Sequence, residues 1–234
     1  MSGYAALTQP TYFLHFATRR ILLAWPEASP YPRGFPGTHF SFAEPLECAM
    51  HSVHLIRHPA TPFSGANQIG AQISDFPTEA LEIQYFLSGD VNNLRIPVDA
   101  APRRAENLWQ HTCFEAFVAA PRGTGYFEFN FAPSGEWAMY QFDAYREGMK
   151  AIETPPPIIT TRRTAHDLDV TVVVDLHGFP NFMAHAELRL ALSAVVENSN
   201  GELSYWALAH PPGKPDFHHA DSFTLALDQC KGFT

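Results

Sequence analysis

Thr112-Cys-Phe-Glu-Ala-Phe-Val118 and Gly125-Tyr-Phe-Glu-Phe-Asn-Phe131 are two short β-branched and aromatic runs joined by Pro121-Arg-Gly-Thr-Gly125. Side chains of a strand alternate between its faces, so Thr112, Phe114, Ala116 and Val118 form one apolar row and Phe127, Phe129 and Phe131 another. A hairpin closed at the Pro/Gly turn lays these rows side by side as a core face. Trp109, His111, Cys113 and Glu115 then share the opposite face with Tyr126, Glu128 and Asn130. A flat ring among hydrogen-bonding groups suits a sugar or another polar ligand. An ordinary solvated outer face would read the same way, because alternation always leaves polar residues somewhere.

Working outward, the same pattern recurs. Val53–Arg57, Ala71–Ser74, Leu81–Leu87, Leu94–Ile96, Trp137–Phe142, Leu168–Leu176, Ala186–Leu192 continuing toward Val196, Leu203–Leu208 and Phe223–Leu227 all read as strands, with Gly, Pro, Asn and Asp between them. About ten strands without a convincing amphipathic helix predict an all-β fold, an antiparallel β-sandwich. In the penultimate strand Trp206, Leu208 and His210 share one face and Tyr205, Ala207 and Ala209 the other, and alternation alone does not say which is core. Pro155-Pro-Pro157 reads as a stiff connection inside one domain, since neither half has enough strands to hide its apolar face alone.

The 234 residues are 46% hydrophobic and 17% charged, enough for one sizeable core. A net charge of −9 offers no basic field to collect nucleic acid or anionic lipid, so neither is an expected partner. Three cysteines, Cys48, Cys113 and Cys230, far apart and without CxxC pairing, suggest neither a disulfide framework nor a zinc site. Arg19 and Arg20 interrupt the best candidate signal segment, and with the cysteine pattern this predicts a cytoplasmic protein. Residues 1–49 carry prolines at 10, 26, 30, 32, 36 and 45 and sustain no period, which predicts a poorly ordered extension before a domain at 50–234. Met50 is then a candidate for the true start.

The sharpest cluster lies near the C-terminus, in Ser204-Tyr-Trp-Ala-Leu-Ala-His-Pro-Pro-Gly-Lys-Pro-Asp-Phe-His-His-Ala-Asp-Ser-Phe223. A proline-stiffened loop holding Lys214, Asp216, His218 and His219 beyond Trp206 and His210 can point polar groups in fixed directions, which lowers the ordering cost of binding. Asp216 capping the loop's own amides is the plainer alternative. His218 and His219 are adjacent and point opposite ways in an extended segment, so one metal ion would need His210, one of the pair and Asp216. Haem would need a Met and a His on opposing sides, and CxxCH is absent. GxSxG, the P-loop, GxGxxG in a strand-to-helix setting and HExxH are absent as well. No catalytic residue is assigned.

Leu108-Trp-Gln-His-Thr-Cys-Phe-Glu-Ala-Phe117, Tyr126-Phe-Glu-Phe-Asn-Phe-Ala-Pro-Ser-Gly-Glu-Trp137 with Tyr140 and Phe142, and Phe217-His-His-Ala-Asp-Ser-Phe223 together resemble the bacterial DOMON-like proteins, relatives of the family 9 carbohydrate-binding modules. The resemblance runs from about Met50 to the C-terminus. It implies a β-sandwich of that immunoglobulin-like type, related also to the b-type cytochrome domains of some dehydrogenases. In the carbohydrate-binding modules two tryptophans sandwich a terminal sugar, and Trp109, Trp137 and Trp206 are the candidates here. The expected function is a non-enzymatic protein binding a small polar ligand, a saccharide first, through Trp109, His111, Glu115, Trp206, His210, Lys214, Asp216, His218 and His219. The alternatives are a metal- or haem-binding domain of DOMON type, and a hydrolase acting on a small polar substrate. The sequence itself requires no cofactor.

Overall fold

Alternation of large apolar residues with small or polar ones drives strand after strand into one sheet. The computed structural model describes residues 48–63, 65–75, 80–96, 101–179 and 185–230, and the reading of the N-terminal extension therefore lies almost wholly outside the described residues. In the first half of the chain the strands are β1 (Met50–Arg57), β2 (Ala66–Ser74), β3 (Ala80–Gly89), β4 (Arg103–Arg104), β5 (Cys113–Ala119) and β6 (Tyr126–Phe131). Next come β7 (Glu136–Phe142), β8 (Lys150–Ala151), β9 (Ile158–Arg163) and β10 (Asp167–Asp175). The last are β11 (Glu187–Glu197), β12 (Leu203–Ala207) and β13 (Leu225–Asp228). Short 3-10 turns supply the only helical geometry among the described residues, and no helix is long and apolar enough to cross a membrane.

The strands form one mixed sheet in the order β4-β7-β6-β5-β11-β12-β1-β2-β3-β10-β9, with β13 on β11 and β8 on β7. Only β4 with β7 is parallel among these pairings. The sheet curls back on itself. Tyr85 of β3 lies 4.9 Å, ring to ring, from Phe114 of β5, and its hydroxyl donates to the Glu115 carbonyl at 2.8 Å. The main core fills that curl with Phe114, Ala116, Val118, Phe129 and Phe131 from one half and Ile69, Ile73, Ile83, Val170 and Val172 from the other. These are the apolar rows expected for β5 and β6, in the expected antiparallel register.

Three expectations change. Leu94–Ile96 contributes a single bridge, Leu94 to Asn198, because it follows directly on a 3-10 turn and has no room for a ladder. The edge strand β9 carries Thr and Arg on a mostly exposed segment, so it lacks the apolar alternation that reveals a strand. Cys48 and Cys230, read as unpaired, form a disulfide across 182 positions, while Cys113 is free and buried. Sequence spacing says nothing about closeness once a sheet brings the first and last strands of a domain together. Cys48 also lies on the upstream side of the expected division at 49/50.

Candidate functional site

The face of β5 and β6 opposite the main core is not solvated. It carries a second apolar cluster, including Phe117, Tyr126, Ala138, Tyr140, Phe142, Val195, Ala207, Phe217 and Phe223, roofed by two loops. One loop follows β7. Ala144 and Glu147 close it with paired backbone hydrogen bonds, and a Cβ on Gly148, at φ +66°, would run into the Asp143 carboxylate, so glycine is needed there. The other is the proline-rich segment between β12 and β13.

Between roof and sheet lies a cavity of about 350 Å³. Its walls are aromatic, from Trp109, Tyr140, Phe142, Tyr205 and Phe217, and its acidic groups are Glu115 and Glu128. The pleat places the acids together: Glu115 pairs with Asn130 across the hairpin and Glu128 with Phe117, so the two carboxylates are diagonal neighbours on one face. Asn130 Nδ2 donates to Glu128 Oε1 at 2.7 Å, and Ser193 of β11 donates to Glu115 Oε2 at 3.3 Å. Glu115 Oε1 is buried without a hydrogen-bond partner. Burial, and then the neighbouring Glu128 charge, holds the Glu115 carboxyl well above the usual range. Burial raises Glu128 too, against the opposing Asn130 hydrogen bond and the Arg146 charge.

The roof is locked through Asp216. Its carboxylate accepts from the Tyr145 hydroxyl at 2.5 Å, from Arg146 Nη2 at 2.8 Å and from the His218 amide at 3.1 Å, joining both loops. Arg146, itself in the left-handed region at φ +56°, donates its backbone N–H to the Tyr126 hydroxyl. That hydroxyl also meets His218 Nδ1, at 2.7 Å, and the other ring nitrogen, Nε2, lies 3.7 Å from Glu128 Oε2. Rings of Phe117 and Phe142 lie 5.0 and 5.2 Å from the imidazole. This dry aromatic box, with the Arg146 charge adding to it, lowers the His218 pKa to about 4, so the ring is neutral at pH 7. Asp216→Ala is expected to cost about 1–2 kcal/mol of stability. Faster amide hydrogen exchange in residues 143–149 and 211–223, and not in β10, would locate the loss in the roof.

Of the residues singled out in the sequence, Trp109, Glu115 and His218 line the cavity and Asp216 holds its roof. Trp109 reaches the mouth because a 3-10 turn at Leu108–Gln110 breaks the strand period. The same break turns His111 away, onto Glu197 at 2.7 Å, so it does not join Glu115. Trp206 belongs to the main core with its indole N–H on Ser204, and Trp137 is also in that core under the Arg104 guanidinium. Among the described residues a sandwich of two tryptophans is thus not available in this cavity. His210 ties the loop to β1 by donating to the Ile56 carbonyl at 2.7 Å, Lys214 is exposed, and His219 points outward to cap the 3-10 turn at Ala220. Among the described residues no three His, Cys, Asp or Glu are grouped to hold a metal ion. Met149 and His218 share the cavity lining, but both imidazole nitrogens already face protein groups, Tyr126 and Glu128, so the pair does not fit haem ligation. Arg146, Tyr205, Tyr140 and Phe142 went unassigned to a site. The alternation of β12 and β7 places the last three on this face, but only topology identifies it as the roofed one.

No family model and no curated protein sequence matches the chain. Solved structures do match in fold. A candidate carbohydrate-binding protein from Bacteroides uniformis aligns over 78% of this chain and 86% of its own, at 12% identity and a TM-score of 0.57. A carbohydrate-binding module of family 9 from Caldicellulosiruptor kristjanssonii, in complex with glucose, aligns over 87% and 94% at 11% identity and a TM-score of 0.42. The same kind of module with cellotriose aligns over 81% and 84%, at 12% identity and 0.42. The first likeness establishes a shared all-β fold; the two scores of 0.42 add nothing to that.

Proposed function

We propose that the protein binds a small saccharide in the roofed cavity and releases it unchanged, as a DOMON-like β-sandwich domain spanning 50–234. The observation that supports this best is the lining itself: aromatic walls for the C–H faces of a sugar ring, and Glu115, Glu128 and the Arg146 loop for its hydroxyls. A cavity of about 350 Å³ has room for one or two sugar rings and not for a long chain lying flat. The candidate carbohydrate-binding protein of similar fold points the same way. Thermal shift against mono- and disaccharides tests the reading, because a ligand selective for the native state raises the melting point. Tyr205→Ala and Trp109→Ala should each weaken the response by about tenfold or more in apparent affinity. A sugar response that both variants retain would place the binding elsewhere.

The buried acid pair also favours a second reading, a hydrolase acting on a small polar substrate, since a carboxyl kept protonated beside another carboxylate is what glycoside hydrolysis uses. Release of nitrophenol from nitrophenyl glycosides, lost in Glu115→Gln, would replace the binding reading by this one.

A further inference from the structure

We propose that the ligand of this cavity carries a cationic amine and that Glu115 and Glu128 together form its counter-charge, so that the ligand class is an amino sugar. The inference rests on the saccharide reading for the ligand's scaffold and adds the charge.

Two acids lie beside each other in a space walled by rings, and one of their oxygens, Glu115 Oε1, is buried with nothing to bond. Burying a carboxylate is costly unless a cation or several donors answer it. Among the described residues, the cations near the acids are committed elsewhere. Arg146, which acts on both acids through space, bonds Asp216; Lys150 bonds Asp143 at 3.0 and 3.2 Å; Arg104 bonds the Ile152 and Met139 carbonyls. His218 is neutral, with its Nε2 edge turned toward Glu128 at 3.7 Å. From the remaining elements packed on the acids come Ser193 of β11, Cys113 of β5, Tyr126 and Asn130 of β6, Tyr140 of β7 and Tyr205 of β12, all uncharged at neutral pH. An ammonium group with its three donors would give the unbonded oxygen a partner and offset one carboxylate charge, with the Arg146 charge acting on the other through space. The rings that stack on a sugar's C–H face also stabilise a cation, which a neutral ligand would not exploit.

Calorimetric titration of the full chain with glucosamine, glucose and ethanolamine between pH 5 and pH 7 tests this. Glucosamine is expected to bind at least about tenfold more tightly than glucose. Its affinity should rise with pH, because the cation binds the ionised pair and must displace the proton that the empty site retains. Glu115→Gln and Glu128→Gln should each remove most of that preference, bringing glucosamine to within about twofold of the same variant's own affinity for glucose. Equal binding of glucose and glucosamine, with affinity flat or falling as pH rises, would overturn the amine: the acids then donate to hydroxyls, and the saccharide reading survives alone. Ethanolamine binding that depends on both acids, with no response to either sugar, would sustain the counter-charge and remove the saccharide. Absence of binding by all three probes to the folded protein overturns the proposal.

Discussion

Glu115→Gln is expected to make the ligand-free protein more stable at pH 8, by about 1–3 kcal/mol, or roughly 5 °C in Tm. The carboxyl is buried, has one oxygen unbonded, and titrates well above its usual range because of that burial and of Glu128. An acid whose folded-state pKa is raised stabilises the native protein fully at low pH. That contribution is lost as pH rises from the ordinary carboxylate value of 4.5 through the raised one, since the unfolded chain releases its proton first. His218 works in the opposite sense. With a folded pKa of about 4 against 6.5, it costs stability as pH falls from 6.5 to 4, up to roughly 3 kcal/mol. The two slopes oppose each other from pH 4.5 to 6.5, where Glu128, also raised, adds to the carboxylate side. Glutamine keeps the shape and the Ser193 hydrogen bond and removes the charge. The variant's melting temperature should therefore gain on the wild type's as pH rises from 4.5, with His218 and Glu128 contributing alike to both. A variant less stable than wild type at pH 8 would mean that the acid is already compensated inside the protein.

Such a trade between stability and binding is invisible in the sequence, and its parts were legible to different degrees. The two rows in β5 and β6 follow from a period of two and hold because each residue's face is fixed by its neighbours along the strand. Sequence alternation therefore identified Glu115 as lying opposite the core. It could not show that this face is roofed, since the roof comes from segments far along the chain, including Tyr145 and Arg146 in a turn built around Gly148. His111 was misplaced for a local reason: a 3-10 turn at Leu108–Gln110 interrupts the strand period just before it. Trp206 illustrates a different limit. Both faces of β12 are apolar and both are buried, one against each core, so hydrophobicity alone cannot choose between Trp206 and Tyr205. The charged loop residues were read as a group, yet only His218 turns inward. Adjacent residues in extended backbone oppose one another, so His219 had to face out.

Reducing the Cys48–Cys230 disulfide, or replacing both cysteines with alanine, is expected to cost about 2–4 kcal/mol and lower Tm by roughly 5–15 °C. The bond joins points 182 residues apart, so it removes much of the freedom of the unfolded chain. It also sits where the native structure gathers the first and last of the described strands, β1 and β13. Asp75 donates its backbone N–H to the Ala49 carbonyl, and its carboxylate faces His51 Nε2 at 2.7 Å and accepts from the Asp228 amide at 3.2 Å. β13, held there, pairs with β11 and continues directly from the loop that roofs the cavity. Loosening its end should let that roof open, so the reduced protein should also bind the cavity's ligand more weakly. A chain begun at Met50 has no partner for Cys230 and should melt like the reduced form, whereas one begun at Cys48 should match the full chain. The intact protein, denatured without reductant, should expose one reactive thiol to a thiol-detecting chromogen, that of Cys113. Three reactive thiols, or identical melting with and without reductant, would show that the bond does not form and that β1 and β13 are held by their ladders and Asp75.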